Sequence, residues 1–250
     1  MSPSYLRDGI MGKLYPELDE RLRKFIGRQS VFFVATAPCL GADGDGGHIN
    51  LSPKGYRGTF AVLGPLQVAY LDLTGSGAET IAHLRQNGKI TIMFCSFEHE
   101  TKILRLYGTG RIVLPGTPEW AKLADRFPAT GYGSNQASRR AIIVVDLDRI
   151  ADSCGYAVPV MELSRERDVL VRSDEKKSAA QLAAYRAKKN AVSIDGLPAI
   201  DVPENAGGAD DLSADDLSAD DFSADDFSVG TGLSATQPAS RGTGTGPASG

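Results

Sequence analysis

The strongest constraint on the fold of this chain is a succession of short segments rich in Val, Ile, Phe and Tyr, broken by Gly, Pro and Asn. They read VFFVAT (31–36), FAVL (60–63), LQVAYLDL (66–73), ITIMFC (90–95), ILRLYGTGRIVL (103–114), AIIVVDL (141–147) and DVLVR (168–172). Each has the length and composition of a β-strand. Helical spacing is rarer. Leu18, Leu22, Phe25 and Ile26 predict a helix over Pro16–Ile26, with Gly27 able to end it. Further helices are expected over Ala78–Asn87, over Pro118–Phe127 with Thr117 as cap and Pro128 beyond the end, and over Glu175–Lys189. A doubly wound parallel sheet requires regular alternation of strand and helix. Strands that mostly follow one another, with single helices inserted, predict a small, mainly antiparallel barrel with peripheral helices.

The last fifth of the chain is different in kind. Residues 209–228 repeat ADDLS, ADDLS, ADDFS, ADDFS and lead into a Gly/Ser/Thr/Pro stretch ending at Gly250. Nine acids and one base, Arg241, lie from Glu204 onward, so the overall charge of -4 belongs to this segment and residues 1–203 are mildly basic. Such a sequence cannot bury enough apolar surface to offset its ordering entropy, which predicts a disordered tail over 204–250. The expected folded domain is 1–203. Its nearly neutral charge gives no electrostatic case for a nucleic-acid partner. No apolar run reaches the ~20 residues of a membrane helix, and the first residues lack the apolar core of a secretion signal. Cys39, Cys95 and Cys154 are odd in number and widely spaced, which favours a reducing, cytoplasmic setting over a disulfide framework.

Three stretches carry residues suited to binding an anionic ligand. In LDLTGSGAETIAHLRQNG (71–88) a strand passes through Thr74-Gly75-Ser76-Gly77 into a helix. Helix starts offer free N–H groups, and Thr74 and Ser76 add hydroxyls, yet the pattern matches no dinucleotide or Walker loop. Taken alone it is a turn. GGHINLSPKGYRGTF (46–60) gathers His48, Asn50, Ser52, Lys54 and Arg57, and ILRLYGTGR places Arg105 within an apolar strand, where the local pattern favours the wet face of the strand over a deliberately placed cation. Weaker candidates are His99 in FEHE (97–100), read as a solvated turn because adjacent residues cannot all face one ion, and Cys154, read as a packed thiol. The amphipathic segment Ala179–Lys189 is suited either to closing a dimer or to capping the barrel.

In order along the chain, FFVAT, HINLSPKG, VAYLDLTGSGAETIAHLRQNGKITIMF and ILRLYGTGRI resemble the pyridoxamine 5′-phosphate oxidase-like, FMN-binding split-barrel family. DSCGYAVP (152–159) and SIDGLP (193–198) extend the similarity to the oxidase-related branch. The resemblance implies a mainly β fold with peripheral helices, a split β-barrel that forms a homodimer and holds FMN in a cleft. It further implies a flavin-dependent oxidoreductase acting on a small-molecule substrate. Asn50, Ser52, Lys54, Thr74, Gly75, Ser76, Thr80 and Arg105 are the implied cofactor contacts, with no side chain assigned to catalysis and no metal. Related split barrels make a deazaflavin (F420) reductase, or a non-catalytic flavin- or haem-binding protein, the alternatives. Two departures matter. The oxidases carry a basic Ser-Arg-Lys run where this chain has Ala78-Glu79-Thr80, and they hold pyridoxal substrate with a Trp- and Arg-containing segment, whereas Trp120 here lies in a helix. Oxidation of pyridoxamine phosphate itself is therefore not expected.

Overall fold

The computed structural model describes residues 12–39, 46–127 and 135–201. The acidic repeat, Pro128 and the expected domain boundary near 203 lie outside the described residues. Eight strands form one antiparallel sheet: β1 (Leu14–Tyr15), β2 (Val31–Thr36), β3 (Asn50–Gly55), β4 (Phe60–Gly64), β5 (Gln67–Leu73), β6 (Lys89–Cys95), β7 (Lys102–Val113) and β8 (Arg139–Cys154). The spatial order is β3-β2-β6-β7-β8-β5-β4, with β1 added to β8. Each of these pairings is antiparallel, as consecutive short strands require.

The sheet is curled into a half-barrel, and its aromatic core shows how far. Phe32 on β2 and Phe60 on β4 come from opposite ends of the strand order, yet their rings meet edge-on at 5.1 Å. Phe60 also meets Phe94 at 5.0 Å, and Phe32 meets Tyr70 at 5.5 Å. Alternation along β2 turns Phe32, Val34 and Thr36 inward. Leu18 and helix α1 (Glu20–Arg28) add Leu22, Phe25 and Ile26 to the same core. A second apolar cluster, with Leu71, Val113, Phe127, Ile142 and Val144, receives Trp120 and Leu123 from helix α3 (Pro118–Leu123). Among the described residues no helix is long and apolar enough to cross a membrane.

The helices depart from expectation in four places, one being that the helix expected to reach Phe127 ends at Leu123 and passes into a 3-10 turn over Ala124–Arg126. The first begins at Glu20 because the Asp19 side chain caps it, accepting from the Leu22 amide at 2.8 Å, and it continues through Gly27 to Arg28. The segment DVLVR is not a strand: Val169–Glu175 form helix α4. An i,i+4 pair between Asp168 and Arg172 favours the helix, and three apolar residues in a row do not distinguish the two states. The final helix is accordingly shorter, α5 (Ala179–Lys189), with Ser178 and Gln181 forming a capping box. Cys154 is exposed at the end of β8 rather than packed, while Cys95 is buried. His99 is exposed in a bend, as expected, and no metal-ligating cluster occurs among the described residues.

Candidate cofactor cleft

The site is built where the two ends of the curled sheet approach. β3 and β5 have four strands between them in the hydrogen-bonded order, but Lys54 Nζ of β3 donates to Asp72 Oδ1 of β5 at 3.0 Å. The other carboxylate oxygen accepts from Arg140 Nε at 2.7 Å. Arg140 owes its position to a register shift. Asp72 pairs with Ala141 but Leu73 pairs with Arg139, so Arg140 is the unpaired residue of a β-bulge. Bulges re-aim a side chain, and this one aims a buried guanidinium at a buried carboxylate. Asp72 is only 2% exposed; burial works against its ionisation, but Arg140 and Lys54 overcome that and hold its carboxyl down at about 2. Asp72 is ionised at neutral pH, and with its two cations leaves a balance of +1. Lys54, 24% exposed, carries that charge to the cleft surface.

The turn from β5 into helix α2 (Glu79–Asn87) is tied down from behind. The Thr74 amide and hydroxyl both donate to Ser138 O, at 2.8 and 2.9 Å, and Thr74 Oγ1 accepts from Arg186 Nη1 at 3.0 Å. Asn190, wholly buried, donates from Nδ2 to Gly75 O at 2.8 Å and to Ser76 O at 3.4 Å. Arg140 Nη1 donates to Gly77 O at 2.7 Å. Three consecutive carbonyls are thus turned toward buried donors. The peptides are trans, so the amide N–H of each following residue points the other way. The start of α2 continues this array, since Ala78 at the N-cap brings no side chain to its free amides.

A polar ladder borders the same space. Ser52 Oγ donates to Asn50 Oδ1 at 2.7 Å, and Asn50 Nδ2 donates to Thr80 Oγ1 at 3.0 Å and Thr36 Oγ1 at 3.2 Å. Thr36 Oγ1 lies 3.0 Å from Nδ1 of His83, whose ring is wholly buried and whose protonation is disfavoured by that burial. Together these elements enclose a cleft of about 310 Å³.

Of the residues named from sequence, Ser52, Lys54, Thr74, Gly75 and Thr80 line the cleft. Asn50 stands behind it, bonded to Thr80, and Ser76 is exposed on the turn with its carbonyl held by Asn190. Arg105 lies elsewhere. Lys54 pairs with Phe32, whereas Arg105 pairs with Met93 and, through it, with Phe33, so Arg105 occupies the opposite face of the sheet and donates to Ser153 Oγ at 2.9 Å. Sequence reasoning passed over Asp72, Arg140, Arg186 and Asn190. A lone acid inside an apolar strand and two successive arginines opening another were the available signals.

Apart from Arg186 and Asn190, this constellation sits within residues 18–154, which match the family model for pyridoxamine 5′-phosphate oxidase. The chain belongs to the pyridoxamine 5′-phosphate oxidase family. It is 36% identical over 204 residues to the pyridoxamine 5′-phosphate oxidase family protein ustO of Aspergillus flavus, covering 74% of this chain and 77% of that protein. Among solved structures it is similar to HupZ from Group A Streptococcus, at 21% identity and TM-score 0.38, over 53% of this chain and 90% of the other. It is likewise similar to an FMN-binding protein from Syntrophomonas wolfei, at 14% identity and TM-score 0.38, over 56% and 82%.

Proposed function

We propose that this protein binds FMN and acts as a flavin-dependent oxidoreductase on a small molecule, as a homodimer, with the flavin phosphate held in the cleft between β3 and the start of α2. One observation carries the reading: the Lys54 ammonium reaches the cleft beside the uncapped amides of α2 and the hydroxyl of Thr80. A cation, oriented N–H groups and hydroxyls are the donor set that suits a phosphate, so the residues present fit that end of the cofactor. When bound, the flavin ring supplies hydride or electron transfer. The chain's own residues bind and orient. Asp72 holds Lys54 across the opening of the sheet, Arg140 and Asn190 fix the turn carbonyls, and Asn50 fixes the Thr80 hydroxyl.

The test is an absorbance spectrum of freshly purified protein from about 300 to 550 nm, with the released compound identified after denaturation. Two flavin bands and recovered FMN support the reading. A deazaflavin or haem recovered instead, or no chromophore taken up on adding FMN, overturns it. In the same preparation Lys54→Ala should weaken FMN binding by about tenfold or more, and Arg105→Ala should weaken it much less. Equal losses would remove the assignment of the phosphate to this face.

A further inference from the structure

Tyr56 is, among the described residues, the one non-glycine with a positive φ, at 69°. The left-handed region is costly for a bulky side chain, free for glycine and mild for Asn. The chain has glycines at positions 55 and 58 of the same turn, yet sets a tyrosine here. The conformation is imposed from both sides. Thr59, 2% exposed, places Oγ1 2.8 Å from both Gly55 O and Tyr56 O, and its amide donates to Tyr56 O at 3.2 Å. The Thr59 carbonyl in turn accepts from the Leu71 amide of β5 at 2.7 Å, and the Arg57 amide donates to Glu166 Oε1 at 3.1 Å. A strained residue persists only where its surroundings over-determine it, and such residues gather at ligand sites. Packing does not account for the choice: Tyr56 is half-buried and belongs to neither apolar cluster, but it lines the cleft with Lys54, Asp72 and Thr80.

We propose that Tyr56 is a specificity-determining residue of the cleft: the strained turn holds its ring against the planar ring of the ligand whose phosphate rests beside Lys54. Tyr56 stands two residues beyond Lys54, about 7 Å along an extended chain, which is close to the span of a ribityl chain between a flavin's phosphate and its ring. A tyrosine ring has a broad apolar face, few rotatable bonds and one polar tip, so it favours a flat aromatic partner over an aliphatic one of equal size. A phosphate ester without a ring gains nothing from it. The strain is offset only in the liganded protein, as expected of a residue kept for binding rather than for folding. This inference rests on the placement of the phosphate in the proposed function and adds what the cleft selects at the other end of the molecule.

The experiment uses the full chain as wild type and as Tyr56→Gly, Tyr56→Asn and Tyr56→Phe. Gly and Asn accept the left-handed backbone and remove the ring, whereas Phe keeps both the ring and the strain. Thermal melting of the ligand-free proteins and titrations with FMN and with riboflavin are measured on all four. Tyr56→Gly and Tyr56→Asn should melt at or above the wild-type temperature, because strain is relieved and no packing is lost, yet bind both flavins about tenfold more weakly. Tyr56→Phe should bind both as wild type does. The loss should be equal for FMN and riboflavin, since the ring is common to both. Lower melting temperatures in both ring-less variants overturn the proposal, because the ring would then be a packing element. Unchanged flavin affinities in those variants, or a loss confined to FMN, also overturn it and leave the flavin reading standing. If wild type itself takes up neither flavin, the flavin reading falls and the role of Tyr56 falls with it.

Discussion

Replacing Asp72 with Asn isolates the ion cluster on which the cleft is built. The carboxyl ionises near 2 instead of its ordinary 3.8, in a side chain that is 2% exposed. That difference corresponds to about 2.5 kcal/mol of folding stability at neutral pH. Removing one member of a buried ion pair, with the other left in place, costs about 3–5 kcal/mol in other proteins. Here Arg140 and Lys54 would face each other without the charge between them, so a loss of about 3 kcal/mol is expected. For a domain of this size such a loss lowers the melting temperature by about 6–12 °C. Urea unfolding followed by circular dichroism at several pH values is the assay. Because the folded-state pKa is depressed, the contribution of Asp72 is complete above about pH 4 and disappears as the pH falls through about 2. Wild type should lose this increment across that window, and Asp72→Asn should lack the corresponding slope. A variant within about 1 kcal/mol of wild type at pH 7, or two parallel pH profiles, would refute the assignment of Asp72 as an ionised, doubly paired group.

Two further perturbations examine the surroundings of the cleft. His83 is buried neutral, with Nε2 unpartnered among the described residues and its pKa pushed below 6.5 by burial, so the unfolded chain takes up its proton first as the pH falls. Stability should therefore decline from about pH 6.5 downward, and His83→Gln should flatten that part of the profile; an unchanged slope would mean that the histidine titrates normally. Leu182, fully buried on α5, is the residue through which that helix docks, and Leu182→Ala should cost about 2–5 kcal/mol. Because Arg186 and Asn190 lie on and just beyond the same helix, the variant should also accelerate amide exchange at Gly75–Gly77, and exchange there that stays at the wild-type rate would separate the helix from the turn.

The backbone was largely legible because the strands carry their own punctuation. VFFVAT coincides with β2, and Gly88, in a left-handed conformation with φ of 68°, stops α2 at the Asn87 that the sequence predicts as its end. DVLVR failed because its apolar residues are too few to show a period, and the sheet had already extended β8 to Cys154. At the cleft, Lys54 was legible as a cation on a strand before a bend. Arg140 was not, since a bulge without glycine leaves no mark in the sequence, and a shift of one residue decides which face an arginine serves. Arg105 shows the same limit from the other side: its apolar neighbours favour the wet face of the strand, the family resemblance makes it a site residue, and only the register with Met93 and Phe33 assigns its face. Contacts between distant segments, such as Asn190 with Gly75, have no local signal at all.

The Lys54–Asp72 pair closes an opening that backbone hydrogen bonds leave open. Among the described residues β3 is laddered only to β2, so its free side faces the cleft, and one ammonium–carboxylate contact is what spans to β5. An edge strand held this way breathes on its own, at a fraction of the free energy needed to open the β7–β8 centre. A phosphate resting between Lys54 and α2 would supply the missing rung of the barrel. Ligand uptake would then be recorded first as slowed deuterium exchange along Asn50–Gly55 and only afterwards in the core.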